Sequence, residues 1–144
     1  MNDTRVATES EEQRAYFRML SVELWRYPNL SMAFHVPNEG KRTQITGGRM
    51  KYEGMVKGVP DIFIDTPCGG FHGCRIELKR RKGYKISSEQ KEWIRNLNEQ
   101  GYAAAFCYGW EDAWQFTQAY LNSDRQRMKA IVDGYITKSL KKCE

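Results

Sequence analysis

The period of the apolar positions changes several times along the chain, and each change predicts an element. From Glu9 to about Tyr27, residues Ala15, Tyr16, Met19, Leu20, Leu24 and Trp25 recur at three- and four-residue steps, as on an amphipathic helix that Pro28 ends. Ser31 to Val36 (SMAFHV) reads as a short strand closed by Pro37. Asn38 to Gly58, with five glycines and scattered basic residues, reads as a long loop or hairpin. Asp61 to Thr66 (DIFIDT) is apolar at the consecutive positions Ile62, Phe63 and Ile64, the pattern of a central strand covered on both faces. Beyond a connection containing Pro67, Gly69, Gly70 and Gly73, the run Arg75 to Lys79 (RIELK) alternates with period two. That alternation sets Ile76 and Leu78 on one face and Glu77 with Lys79 on the other, and a hairpin is the simplest way to join the two strands.

Ser87-Ser88-Glu89-Gln90 is a capping-box sequence that opens a helix through Trp93, Ile94 and Leu97 to a terminating Gly101. Tyr102 to Tyr108 (YAAAFCY) follows as a strand. Asp112 to about Leu121 follows as a helix that Trp110 and Trp114 pack against the sheet. The order αββ(β)αβα predicts one α/β domain, a mixed sheet flanked by helices, over residues 1–121. Residues 122–144 form an extension with a weak helical period at Met128, Ile131, Val132, Tyr135, Ile136 and Leu140, suited to dimerisation or DNA contact.

Length and composition narrow the class. A chain of 144 residues supports one core, and 40% apolar with 28% charged residues indicates an ordered globular domain. No stretch approaches the roughly 20 apolar residues that span a bilayer, and the N-terminal segment is polar, so a cytoplasmic protein without membrane contact is expected. Cys68, Cys74, Cys107 and Cys143 follow no paired spacing, and disulfides are not expected. Cys68, His72 and Cys74 cluster in one turn, but they fit no standard zinc spacing and a fourth ligand is missing.

The net charge of +5 is unevenly spread. Residues 41–57 hold Lys41, Arg42, Arg49, Lys51 and Lys57 against Glu53, and residues 75–85 hold Arg75, Lys79, Arg80, Arg81, Lys82 and Lys85 against Glu77. Such clusters suit a polyanion, although a solvated basic face gives the same pattern.

Phosphodiester hydrolysis uses a divalent metal held by hard oxygen ligands, with a cation or proton shuttle beside the attacking water. Asp61 opens one strand, and Glu77 and Lys79 share a face of the next, so two carboxylates and an ammonium come together. The backbone carbonyl of Leu78 is a natural further ligand. Glu-x-Lys alone is a weak signal; its force comes from the Pro60-Asp61 pair, the hairpin, the alternating strand and the capped helix carrying Gln90. Gln90 has two readings that are compatible: an inward-facing site residue beside Trp93 and Ile94, or a residue that only completes the capping box.

The runs GVPDIFID and RIELKRRKGYKISSEQKEWIRNLNEQGY resemble the VRR-NUC branch of the PD-(D/E)XK nucleases, with its G-x-P-D, E-x-K, S-x-x-Q and Gly-ended helix. The likeness covers residues 31–121, including HVPNEGKR upstream. It implies a restriction-endonuclease-like core and a DNA endonuclease using Mg²⁺ or Mn²⁺, with no organic cofactor. Asp61 and Glu77 would be metal ligands, Lys79 would position or activate water, and Gln90 would be an active-site residue. It also implies a metal-binding acid on the first helix, where Glu9, Glu11 and Glu12 all lie; Glu12 is the choice, against the alternative that such an acid merely favours the helix dipole. Lys41, Arg42, Lys57, Arg80, Arg81 and Lys82 flank the centre as candidate phosphate contacts, and His35 is a candidate helper or a structural histidine.

Compact stand-alone members look like phage proteins and are similar in architecture to Holliday-junction resolvases. That likeness leads us to expect a homodimer selective for branched DNA. The rivals are a sequence-specific restriction-type enzyme, for whose base-reading elements the chain has little room, and a non-catalytic DNA-binding module.

Overall fold

The computed structural model describes residues 5–37 and 52–131. Helix α1 (Glu9–Val22) begins at a capping box: the Thr8 hydroxyl accepts the Glu11 amide, and the Glu11 carboxylate accepts the Thr8 amide. Its inward stripe is Glu12, Tyr16 and Leu20 at four-residue steps. The helix ends sooner than its apolar period predicts. The chain turns after Val22, so that Leu24 and Tyr27 pack against the core, and a 3-10 stretch (Pro28–Met32) buries Leu30.

Among the described residues four strands form one sheet in the order β1 (Ala33–His35), β2 (Ile62–Ile64), β3 (Cys74–Lys79) and β4 (Ala103–Tyr108). The first two pairings are antiparallel; β3 and β4 run parallel, joined by helix α2 (Ser88–Glu99) as the crossover. Helix α3 (Trp110–Leu121) follows β4 and packs against α1 and the sheet. The result is the expected α/β domain, a mixed sheet flanked by helices.

The hydrocarbon core lies between one sheet face and helices α1 and α3, with Tyr16, Ile62, Ile64, Ile76, Leu78, Phe116 and Tyr120 almost wholly buried. The Tyr16 hydroxyl meets Thr117 Oγ1 at 2.8 Å, satisfying both groups inside it. Strand β2 is interior, but it is not equally covered on both faces: Ile62 and Ile64 enter the core, while Phe63 lies half-buried on the opposite side. Its continuous apolar run therefore reflects a core on one face and an aromatic cluster on the other.

The chain stays helical from 125 to 131, where Met128 joins the core and Ile131 packs on it. The guanidinium of Arg125 lies over the Phe71 ring and donates to the Gly69 carbonyl. The packed domain thus continues past Leu121. Lys41, Arg42, Cys143, most of the Asn38–Gly58 loop and the tail stripe from Val132 onward lie outside the described residues.

In the β2–β3 connection His72 meets Tyr102 edge-on, Cys74 at the start of β3 is wholly buried, and among the described residues no group of three or more His, Cys, Asp or Glu could hold a metal. Burial pushes the Cys74 thiol up, away from the thiolate that zinc requires. No helix among the described residues is long and apolar enough to cross a membrane.

Candidate active site

The site forms where β2 stops and β3 continues. Ile62 pairs with Ile76, so one further step along the antiparallel register sets Asp61 opposite Glu77. The Asp61 main-chain carbonyl is held by the Val36 amide at 2.8 Å and by His35 Nδ1 at 2.9 Å. His35 therefore steadies the entry to β2 through its backbone. The Asp61 carboxylate accepts the Leu78 amide at 2.9 Å, closing the ladder position that β2 has left open.

In a strand the amide and carbonyl of one residue point to the same edge. The Leu78 carbonyl therefore faces the same side as its amide, beyond the paired residues of β2. The next carbonyl, that of Lys79, points the other way and accepts the Gly109 amide.

All six residues of β3 are buried, including the polar Arg75, Glu77 and Lys79. Glu77 is 3% exposed; its Oε1 accepts Gln90 Nε2 at 2.7 Å and lies 3.3 Å from Lys79 Nζ. Gln90 Oε1 meanwhile accepts the Ser87 amide at 3.0 Å, while the Gln90 amide donates to the Ser87 hydroxyl. One side chain thus closes the capping box and also donates to Glu77. Gly58, at φ +86°, allows this closeness, since a Cβ there would lie 2.7 Å from the Glu89 carbonyl carbon and 2.9 Å from the Gln90 amide nitrogen. The motif glycine thereby lets the segment leading to Asp61 pass against the start of α2.

Lys79 is 4% exposed, with Nζ 3.9 Å from Glu9 Oε1. It ends in a cleft of about 360 Å³ lined by Glu9, Lys79, Gly83, Tyr84, Lys85, Ser87 and Gln90. Of the three acids at the start of α1, Glu9 is the one that reaches this cleft.

Glu12 is directed elsewhere. It is buried, one oxygen accepting Arg81 Nε at 3.2 Å and the other the Trp110 amide at 2.7 Å. It thus supplies the N-terminus of α3 with the carboxylate that Gly109 cannot provide. Glu11 completes the capping box of α1 with Thr8 and pairs with Arg5.

The candidate phosphate contacts divide in the same way. Arg81 bridges Glu12 and Glu111, and its guanidinium crosses Gly109 at a distance that leaves no room for a Cβ. Arg80 donates to the Val6 carbonyl. Lys57 and Lys82 are exposed, and the Lys57 carbonyl accepts Trp93 Nε1. Lys85, absent from the sequence-based site set, is exposed at the cleft beside Lys79. Its place in the basic run was visible, but the turn at Gly83 that brings it to the cleft was not.

The donor set suits a hard cation. Asp61, Glu77 and the Leu78 carbonyl offer only oxygen, with too few carboxylates for a closed cage, which fits an ion that keeps water and shares phosphate oxygens. A thiol-selecting metal finds nothing here.

Fold and site together define an α/β domain with a half-buried aspartate, a buried glutamate and a buried lysine at the parting of two strands. Residues 7–111 match the family model described as the VRR-NUC domain, and the chain belongs to this family, whose members are in general nucleases. A solved structure titled "VRR_NUC domain protein" is similar to it, with a TM-score of 0.67 and 26% identity over 83% of this chain and 92% of that one. No curated protein sequence matches the chain.

Proposed function

We propose that the protein is a metal-dependent DNA endonuclease of the PD-(D/E)XK type that acts on branched DNA. The observation that carries this reading is the buried Nζ of Lys79, 3.3 Å from Glu77 and 3.9 Å from Glu9, in a cleft that Lys79 lines with Glu9 and Gln90. Burying a cation and acids costs stability unless they are well paired, so their retention in a strand that could have been apolar calls for a chemical reason.

Asp61, Glu77 and the Leu78 carbonyl would hold Mg²⁺ or Mn²⁺, and the chemistry such an ion supplies is polarisation of the phosphate and acidification of water. Gln90 fixes the rotamer of Glu77 and leaves its second oxygen directed by that hydrogen bond. Lys79, held 3.3 Å from Glu77 and 3.9 Å from Glu9, would orient the attacking water through its Nζ. Glu9 is the first-helix acid placed to take part, in the role that the sequence assigns to Glu12. As water oxygen bonds to phosphorus, the opposite P–O bond breaks, the water gives up one proton to solvent, and the leaving oxygen takes one up from solvent. Lys85 meets the phosphate backbone at the cleft mouth, and Lys57 and Lys82 add exposed charge.

A homodimer would present two centres to two strands, as paired incision requires. Of the apolar tail stripe, Met128 and Ile131 are engaged with this chain's own core, so the dimer rests on the need for paired cuts.

The test is cleavage of labelled four-way junction, flap and linear duplex with Mg²⁺, Mn²⁺ or EDTA, comparing wild type with Glu77→Ala and Lys79→Ala. Metal-dependent cutting of the branched substrates, lost in both variants, is expected. Binding without cutting in either metal would make the chain a DNA-binding module, and cut sites sharing one sequence would make it a restriction-type enzyme.

A further inference from the structure

The face of the sheet that carries Asp61 and Glu77 carries a second feature that metal-assisted hydrolysis does not use. Phe34 on β1 and Phe63 on β2 are register partners, with ring centroids 5.5 Å apart. Arg75, the partner of Phe63 on β3, lays its guanidinium 4.1 Å from the Phe63 centroid and 4.7 Å from that of Tyr102. Arg75 is itself 8% exposed and fixed by Asp65 at 3.3 Å and by the Cys74 carbonyl. The inner side of Phe63 is therefore backed by a rigid cation, and the row ends outward at Phe34, which is 43% exposed.

Side chains alternate along a strand, so Phe63 lies on the same face as Asp61, and Arg75 on the same face as Glu77. Phe34 stands two residues along and one strand across from Asp61, roughly 8 Å away by strand geometry. That is within one nucleotide of a phosphate held at the acids.

An exposed ring braced from behind and set one nucleotide from a phosphate site matches the chemistry of base stacking. A base inside a duplex has both faces covered by its neighbours, so only an unstacked one can lie on a protein ring. We propose that Phe34, supported by Phe63 and Arg75, is a stacking platform for an unpaired nucleobase adjacent to the scissile phosphate. This rests on the nuclease reading and gives it a substrate class: DNA with unstacked nucleotides beside the cut, as at flaps and strand-exchange points. An edge strand ending in an aromatic could also serve a second copy of this chain, but the shared face with the acids favours a nucleotide.

The test reads binding rather than cutting, so it is independent of catalysis. A flap junction and a fully paired duplex of the same sequence, each with 2-aminopurine at the nucleotide beside the branch, are titrated with the full chain in EDTA. Wild type, Phe34→Leu and Phe34→Trp are compared. Loss of the ring in Phe34→Leu is expected to lower the preference for flap over duplex by roughly 5- to 100-fold and to abolish quenching of the unpaired 2-aminopurine. Phe34→Trp is expected to restore both. Equal preference in wild type and Phe34→Leu overturns the platform, even if the protein cuts branched DNA. So does a Phe34→Leu chain that keeps the preference and loses self-association in sedimentation. A chain that shows the stacking signal but cuts nothing keeps the platform and removes the nuclease.

Discussion

The two faces of β3 are equally buried and chemically opposite. Cys74, Ile76 and Leu78 enter hydrocarbon, whereas Arg75, Glu77 and Lys79 enter a layer of ion pairs and hydrogen bonds. The first face needs only matching volume. The second needs a partner for each charge: Asp65 and two rings for Arg75, Gln90 for Glu77, and Glu77 with Glu9 for Lys79. One face makes the strand stable, and the other keeps a set of groups ready at some cost to that stability.

The contrast is open to direct attack. The largest effect is expected on the polar face: Glu77→Gln with Lys79→Met removes both charges while sparing the hydrogen bond from Gln90. Cleavage should fall roughly 10²- to 10⁴-fold. Chemical denaturation should place the double variant's stability within about 2 kcal/mol of wild type, because paired charges are lost together. An active double variant would end the catalytic assignment. Ile76→Ala, one position away on the apolar face, should do the reverse. It should destabilise by about 2–5 kcal/mol while the folded fraction still cuts, read by denaturation and by activity normalised to folded protein.

Two acids one turn apart on α1 sharpen the same division. Glu9→Gln should lower cleavage roughly 10-fold with the melting temperature nearly unchanged. Glu12→Gln should cost about 1–3 kcal/mol through Arg81 and the Trp110 amide and spare the chemistry. A reversal of the two outcomes would restore Glu12 as the functional acid. Among the cations, Lys85→Ala should weaken DNA binding and reduce the slope of log affinity against log salt by about 1, which a salt titration measures. Arg81→Ala should act mainly on stability.

The smallest effect is in pH. The Arg5 guanidinium, with the Thr8 amide, lowers the Glu11 carboxyl from 4.5 to about 2. A depressed carboxyl stabilises the fold at pH above its unfolded value, and that contribution fades as pH falls from 4.5 toward 2. Glu11→Gln should therefore flatten the decline of helix content over this window in circular dichroism.

Much of this layout is legible in the residues. The pairing of Asp61 with the Glu77–Lys79 face follows from a hairpin and a period of two, and the capping box located Gln90 to the residue. What failed to show was rotation and reach. Glu9, Glu11 and Glu12 occupy a single turn, and which of them meets Lys79 depends on how α1 lies on the sheet. Arg80 and Arg81 look like free cations in the chain, but their partners Val6, Glu12 and Glu111 are distant in sequence. The helix end at Val22 likewise depends on Leu24 and Tyr27 finding the core.

The sequence by itself determined which groups are present and in what local phase. Alternation, capping and turn chemistry act between residues a few positions apart, and these specify the α/β order, the family and the acid–lysine set. Only the tertiary structure decided how each charge is used. It committed Glu12 and Arg81 to joining α1 with α3, turned Glu9 and Lys85 to the cleft, and lined Phe34, Phe63 and Arg75 along the face that carries the acids. The physical reason is that a charge or a ring takes its role from whatever lies within a few ångströms, and across a folded sheet those neighbours come from distant parts of the chain.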